Sequence, residues 1–180
     1  MKISKVIAIL FFLMLTGSAF ATAQFSDNLI YKGKTLPIFS NPLESYFNAE
    51  NPKPDKIFVF SCTACWRGYI ATWKIEDGYL YLTKLVQGTC ASDAPEIPLS
   101  IVFPKQEAPI KATWFSGTLL IPQGKQILYV HMGYGSIYEK EIILTFINGK
   151  LTEENIVDNT GKKLPSEMEK GLEELDKIKK

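Results

Sequence analysis

Cys62-Thr63-Ala64-Cys65-Trp66-Arg67-Gly68-Tyr69-Ile70-Ala71-Thr72-Trp73-Lys74-Ile75-Glu76, then Asp77-Gly78, then Tyr79-Leu80-Tyr81-Leu82-Thr83-Lys84-Leu85-Val86-Gln87-Gly88-Thr89-Cys90, reads as one long β-hairpin. Asp-Gly between two β-rich runs is the strongest short-range hairpin signal, because a type I′ turn needs positive φ at both central residues. With Glu76 opposite Tyr79, the alternation of side chains puts Tyr69, Ala71, Trp73 and Ile75 on one face with Val86, Lys84, Leu82 and Leu80. That face is apolar apart from Lys84 and is expected to point inward. Carried outward, the same register sets Cys65 opposite Cys90 at a close-approach pair, where a cross-strand disulfide is geometrically reasonable. Cys62–Cys90 is the alternative pairing, since strands this long admit a bulge that shifts the register.

Upstream of the hairpin, Met1-Lys2-Ile3-Ser4-Lys5 precedes an uncharged run from Val6 to Leu15 and a small-residue site at Ala21-Thr22-Ala23. A basic start, a short apolar stretch and small-x-small describe a secretory signal peptide over 1–23, with cleavage after Ala23 or after Ala21. The apolar run is shorter than the roughly 20 residues a spanning helix requires. The expected division is therefore a signal peptide at 1–23, a β-domain at 24–157 and a charged C-terminal helix or tail at 158–180. The expected destination is the periplasm or the exterior, with no integral membrane segment after cleavage.

Losing Lys2 and Lys5 takes the formal charge of +1 to −1, which gives no argument for nucleic acid as a partner. Three cysteines in an oxidising compartment leave one unpaired. Cys62-Thr63-Ala64-Cys65 has thioredoxin-like spacing but leads into a strand pattern, not a helix that would lower a thiol pKa. Zinc would need about four ligands; the three cysteines and His131 lack the paired spacings of known sites. No metal and no cofactor is expected.

Elsewhere, Leu29-Ile30-Tyr31 and Leu36-Pro37-Ile38-Phe39 suggest short strands around Lys32-Gly33. Asn41-Pro42-Leu43-Glu44 predicts a short N-terminal helix with Asn at its cap. Ile57-Phe58-Val59-Phe60 predicts a central strand, and Leu99–Phe103 a short one closed by Pro104. Thr113–Ile121 and Lys125–His131 predict a second hairpin across Pro122-Gln123-Gly124, with Gly117 facing Tyr129. Ile137–Ile147 predicts a long strand turning at Asn148-Gly149. Ser166-Glu167-Met168-Glu169 is a capping box, with Met168, Leu172, Leu175 and Ile178 at helical spacing behind it. The expected fold is all-β: an antiparallel barrel or sandwich built from hairpins, with a short N-terminal helix and a C-terminal amphipathic helix.

Two segments carry chemistry beyond packing: Cys65–Trp73, and Tyr129-Val130-His131-Met132-Gly133-Tyr134-Gly135-Ser136-Ile137-Tyr138-Glu139. They hold the only arginine and the only histidine of a chain with 19 lysines. Arg67, pointing inward, needs an acceptor, because a buried unpaired charge is costly; Glu139 or Glu141 is the expected partner. The candidate binding residues are Trp66, Arg67, Tyr69, His131, Tyr134 and Glu139, as a register-fixing clasp or as the rim of an anion-accepting pocket. No phosphate loop, Gly-x-Ser-x-Gly or His-Glu-x-x-His is present, and no catalytic residue is assigned.

The first segment, together with Trp114-Phe115-Ser116-Gly117-Thr118-Leu119 through Tyr138-Glu139, resembles a family of short uncharacterised bacterial proteins over roughly residues 30–155. That resemblance implies one compact domain and implies no activity. The leading expectation is an exported, non-enzymatic domain that binds a protein or small ligand of the cell envelope at a strand-end rim. The alternatives are a hydrolase or thiol-dependent enzyme using His131 or Cys62, and a calycin-like carrier with an apolar ligand inside the barrel.

Overall fold

The computed structural model describes residues 22–130 and 132–162; His131, the expected helix from Ser166 onward and all of the expected signal peptide but Thr22 and Ala23 lie outside the described residues. Nine strands form one sheet: β1 (Asp27–Tyr31), β2 (Lys34–Ile38), β3 (Tyr69–Glu76), β4 (Tyr79–Gln87), β5 (Glu96–Ile97), β6 (Ile110–Lys111), β7 (Gly117–Leu128), β8 (Ile137–Ile147) and β9 (Lys150–Asp158). Their order is β2-β1-β3-β4-β9-β8-β7, with β5 and β6 also paired to β4. The sheet is open, so a closed barrel is not formed. It is also not wholly antiparallel, because β1 runs parallel to β3.

Three two-residue turns organise the strands. Lys32-Gly33, Asp77-Gly78 and Asn148-Gly149 all have positive φ at both positions, which the type I′ geometry requires. The central hairpin pairs as expected from Glu76↔Tyr79 to Trp73↔Leu82, and then a bulge admits Thr83 and shifts the register. Beyond it Ala71 faces Leu85, which is fully buried, while Lys84 is turned out to solvent. The bulge thus corrects the one charged residue in the expected inward face.

The second edge of β4 is shared by three partners in succession: β9 at Tyr79, β6 at Tyr81 and Leu82, and β5 at Leu85 and Val86. The β9 junction is a meeting of turns. Leu80 N–H donates to Gly149 O at 2.9 Å, and Leu151 N–H donates to Gly78 O at 2.8 Å. The ends of the sheet approach across another seam, where Phe39 N–H reaches Leu120 O at 2.8 Å and Leu120 N–H reaches Ser40 Oγ at 3.3 Å.

Several expected elements take another form. Pro122-Gln123-Gly124 is not a hairpin turn: β7 runs straight through it, and Gly124 is a left-handed bulge residue on that strand. Lys125 N–H there donates to the Glu139 carboxylate at 2.9 Å. Gly117 consequently faces Phe146 on β8 and not Tyr129. Pro42–Tyr46 is a 3₁₀ turn, not an α-helix, and Asn41 makes no side-chain cap. Residues 57–60 form no strand, because Ile57 and Phe58 N–H both fold back on Pro54 O in a turn. Leu99–Ile101 is likewise a 3₁₀ turn entered from Pro98.

Trp73, Tyr69, Phe103 and Phe146 are the largest fully buried side chains, and they pack with Leu29, Ile38, Leu43, Leu80, Leu82 and Leu119 into one filled core. Aromatic side chains supply much of its buried area.

Candidate functional site

One end of the sheet gathers the candidate residues around the segment Ala23–Asp27. Inward positions of β1 alternate Asp27, Leu29, Tyr31, so Asp27 enters the core at full burial. Its Oδ1 accepts Arg67 Nη2 at 2.8 Å and Ala71 N–H at 3.0 Å, and its Oδ2 accepts Trp73 Nε1 at 3.1 Å. Arg67, 6 % exposed, also donates through Nη1 to Phe25 O at 2.8 Å and to the Tyr134 hydroxyl at 3.3 Å. The Tyr134 hydroxyl in turn lies 2.8 Å from Phe25 O and 3.0 Å from Asn41 Oδ1, one proton serving two acceptors. Asn41, expected as a helix cap, is therefore a member of this cluster.

Arg67 thus pairs with Asp27, correcting the expectation of Glu139 or Glu141. Glu139 is occupied elsewhere: its carboxylate holds the Gly124 bulge and its carbonyl accepts Asn159 N–H. The Arg67–Asp27 pair is a clasp that ties β1, β3 and the 132–136 loop, not an open anion pocket. Burial pushes the Asp27 carboxyl up from its ordinary value, and the Arg67 charge with the two other N–H donors pulls it back. All three contacts to Asp27 are donors, the pattern of an ionised carboxylate. Burial works against the Arg67 charge, and Asp27, together with the smaller effects of Tyr134, Cys65 and Tyr69, outweighs it, so the guanidinium pKa is raised. Tyr69 is fully buried beside Arg67, with a guanidinium-to-ring distance of 5.5 Å. Its hydroxyl and Arg67 Nε are buried without a hydrogen-bond partner among the described residues. Burial first, and Asp27 second, hold the Tyr69 hydroxyl protonated well above its ordinary pKa.

The cysteines settle on the alternative pairing, Cys62–Cys90, with Cα atoms 5.5 Å apart. Cys65 is free and fully buried, its Sγ 3.1 Å from Tyr69 O, and burial pushes its thiol pKa up. The register shift explains this: Gly88 pairs across to Gly68, and Cys65 fills the space that a side chain at Gly88 would need. Neither cysteine of the Cys62-x-x-Cys65 pair is then an exposed thiolate. Among the described residues no group of three His, Cys, Asp or Glu could hold a metal ion.

The remaining candidates stand at the surface. Trp66 is 68 % exposed and Phe60 56 %, and their rings meet at 5.6 Å. Both lie within or beside the disulfide-closed loop. Gln24 fastens that loop to the other one: its Oε1 accepts Trp66 N–H at 3.1 Å, its Nε2 donates to Thr63 O at 3.0 Å, and its backbone N–H donates to Gly133 O at 3.2 Å. Beside Gly133, Met132 is 64 % exposed. Along the Ala23–Ser26 segment an open cleft of about 260 Å³ is lined by Phe25, Phe39, Gln126, Tyr129, Tyr134 and Tyr138, among others.

The structure therefore brings Arg67, Tyr69 and Tyr134 together, leaves Trp66 outside them at the surface, and places Glu139 in the β7 bulge. Asp27, Phe25, Asn41 and Phe60 were not anticipated. Asp27 alone left a signal, as the single acid in the inward positions of a short apolar strand. Comparison with protein families, with curated proteins and with solved structures finds no match to this chain.

Proposed function

We propose that this chain is a non-enzymatic binding domain of the cell envelope whose contact surface is the strand-end rim carrying Phe60, Trp66 and Met132, and that its partner is a protein. The observation that supports this reading is the Phe60–Trp66 pair: two large rings in mutual contact, both more than half exposed, with Trp66 on the disulfide-closed loop and Phe60 just before it. Exposed aromatic clusters mark interaction sites, and Trp and Met are enriched in interface cores. A stapled loop presents them with little ordering cost on binding. The filled core argues against a carrier, and the buried Cys65 and bonded Cys62 argue against thiol catalysis.

The test is photo-crosslinking in the native envelope, with a photoreactive residue at Val59, which neighbours the pair and is itself exposed. A discrete adduct that disappears in the Trp66→Ala, Phe60→Ala background supports the proposal. A smear independent of both rings, or association with protein-free lipid vesicles at equal efficiency, contradicts it.

A further inference from the structure

The cleft along the Ala23–Ser26 segment differs in chemistry from the exposed rim, and its argument is independent of the partner surface proposed above. Its described lining holds no charged side chain: the residues are aromatic, amide, hydroxyl, alanine or glycine. Among the described lining side chains an ionic ligand finds no counter-charge, and the neighbouring Arg67 is already paired with Asp27.

The aromatic wall is ordered. Phe39 and Tyr134 stack at 5.2 Å with planes 5° apart, and Tyr138 meets Phe39 edge-on at 5.6 Å. Tyr134 cannot swing away, because its hydroxyl is held by Phe25 O, Asn41 and Arg67. The wall is therefore pre-formed, which lowers the cost of binding.

At its margin stand groups that can both donate and accept. The Tyr138 hydroxyl donates to Gln126 Oε1 at 3.2 Å, and the Gln126 side-chain NH₂ is a donor group at the same margin. Ser26 adds a hydroxyl to the same lining. An aromatic wall bordered by dual-character polar groups complements a molecule with an apolar C–H face and a fringe of hydroxyls that themselves donate and accept. A polyproline segment offers carbonyl acceptors alone and would leave the acceptors of the rim unmatched. At about 260 Å³ the cleft is smaller than a pocket for a drug-sized ligand and suits one or two rings.

We infer that this cleft is a subsite for a neutral saccharide ring, stacked on the Phe39–Tyr138 wall and hydrogen-bonded by Gln126 and Ser26.

The test is calorimetric titration of the protein with Ala23 retained in the chain, using cellotetraose, maltotetraose and chitotetraose, and separately a decaproline peptide. The expected result is saturable binding of at least one tetrasaccharide, weakened about tenfold or more by Gln126→Leu and by Tyr138→Ala. Trp66→Ala should leave that binding unchanged, which separates this site from the protein-contact rim. Gln126 is solvent-exposed, so its variant tests the site even if Tyr138→Ala fails to fold. No saturable heat with any tetrasaccharide, binding that survives Gln126→Leu, or decaproline binding in place of sugar would overturn the inference.

Discussion

Asp27→Asn tests whether the clasp carries the fold at the sheet end. The substitution keeps size and one carbonyl oxygen but removes the negative charge and replaces one acceptor with an NH₂ donor. Three donors converge on Asp27: Arg67 Nη2, Ala71 N–H and Trp73 Nε1. At least one of them must then face another donor. Losing a charge-assisted hydrogen bond costs about 1.5–3 kcal/mol, and an orphaned buried donor about 1–3 kcal/mol. The sum agrees with the roughly 3–5 kcal/mol expected when a buried ion pair loses one member. For a domain of this size the melting temperature should fall by roughly 6–20 °C. Arg67→Met should cost a similar amount, since Asp27 is then left charged with two donors and no cation. The double variant relieves the uncompensated charge, so the two losses should fall short of additivity by about 2 kcal/mol or more. Urea denaturation followed by near-ultraviolet circular dichroism, in which buried Trp73 contributes, measures all four corners of the cycle. Single losses below about 1 kcal/mol, or strict additivity, would refute the clasp reasoning.

Two further outcomes follow from the same end of the sheet. The Cys62–Cys90 bridge closes a separation of 28 residues, so Cys90→Ala should lower the unfolding free energy by about 3–4 kcal/mol on the chain-entropy relation; equal urea midpoints with and without reductant would contradict it. Burial raises the Tyr134 hydroxyl from 10.0 to about 12, against the lowering effect of Arg67. The native state therefore holds this proton more tightly than the unfolded chain, and the stabilisation is full below pH 10 and lost as pH rises toward 12. The stability difference between wild type and Tyr134→Phe should change across that window, as read by denaturation at stepped pH, and a constant difference would count against it.

The parts of the fold legible in the sequence are those specified by neighbours along the chain. Lys32-Gly33, Asp77-Gly78 and Asn148-Gly149 each demand left-handed backbone at two adjacent positions, and that demand alone sets a hairpin. Pro122-Gln123-Gly124 emits a similar local signal, yet its glycine serves a bulge, because β8 lies alongside and Glu139 takes the freed Lys125 N–H. A local pattern does not contain that partner. The apolar density of Ile57–Phe60 predicts a central strand, whereas Val59 and Phe60 are exposed to solvent. There an apolar run marks a surface. The inward direction of Arg67 was readable from alternation, but its acceptor was not: Asp27 lies 40 residues away and meets it only through the parallel pairing of β1 with β3. Of the candidate rim residues, Trp66 is exposed, while Arg67 and Tyr69 are buried in the scaffold.

Loop tips are ordinarily the places where a protein accepts inserted peptides. Here the tips of the β3–β4 and β8–β9 hairpins are bonded to each other, and Gly149 additionally lies so close to Ala112 O that a Cβ would sit 2.5 Å away. An affinity tag or reporter spliced into either tip would act as a wedge that parts β4 from β9. The exposed stretch from Ala91 to Asp93 is the place where such cargo can be carried without splitting the sheet.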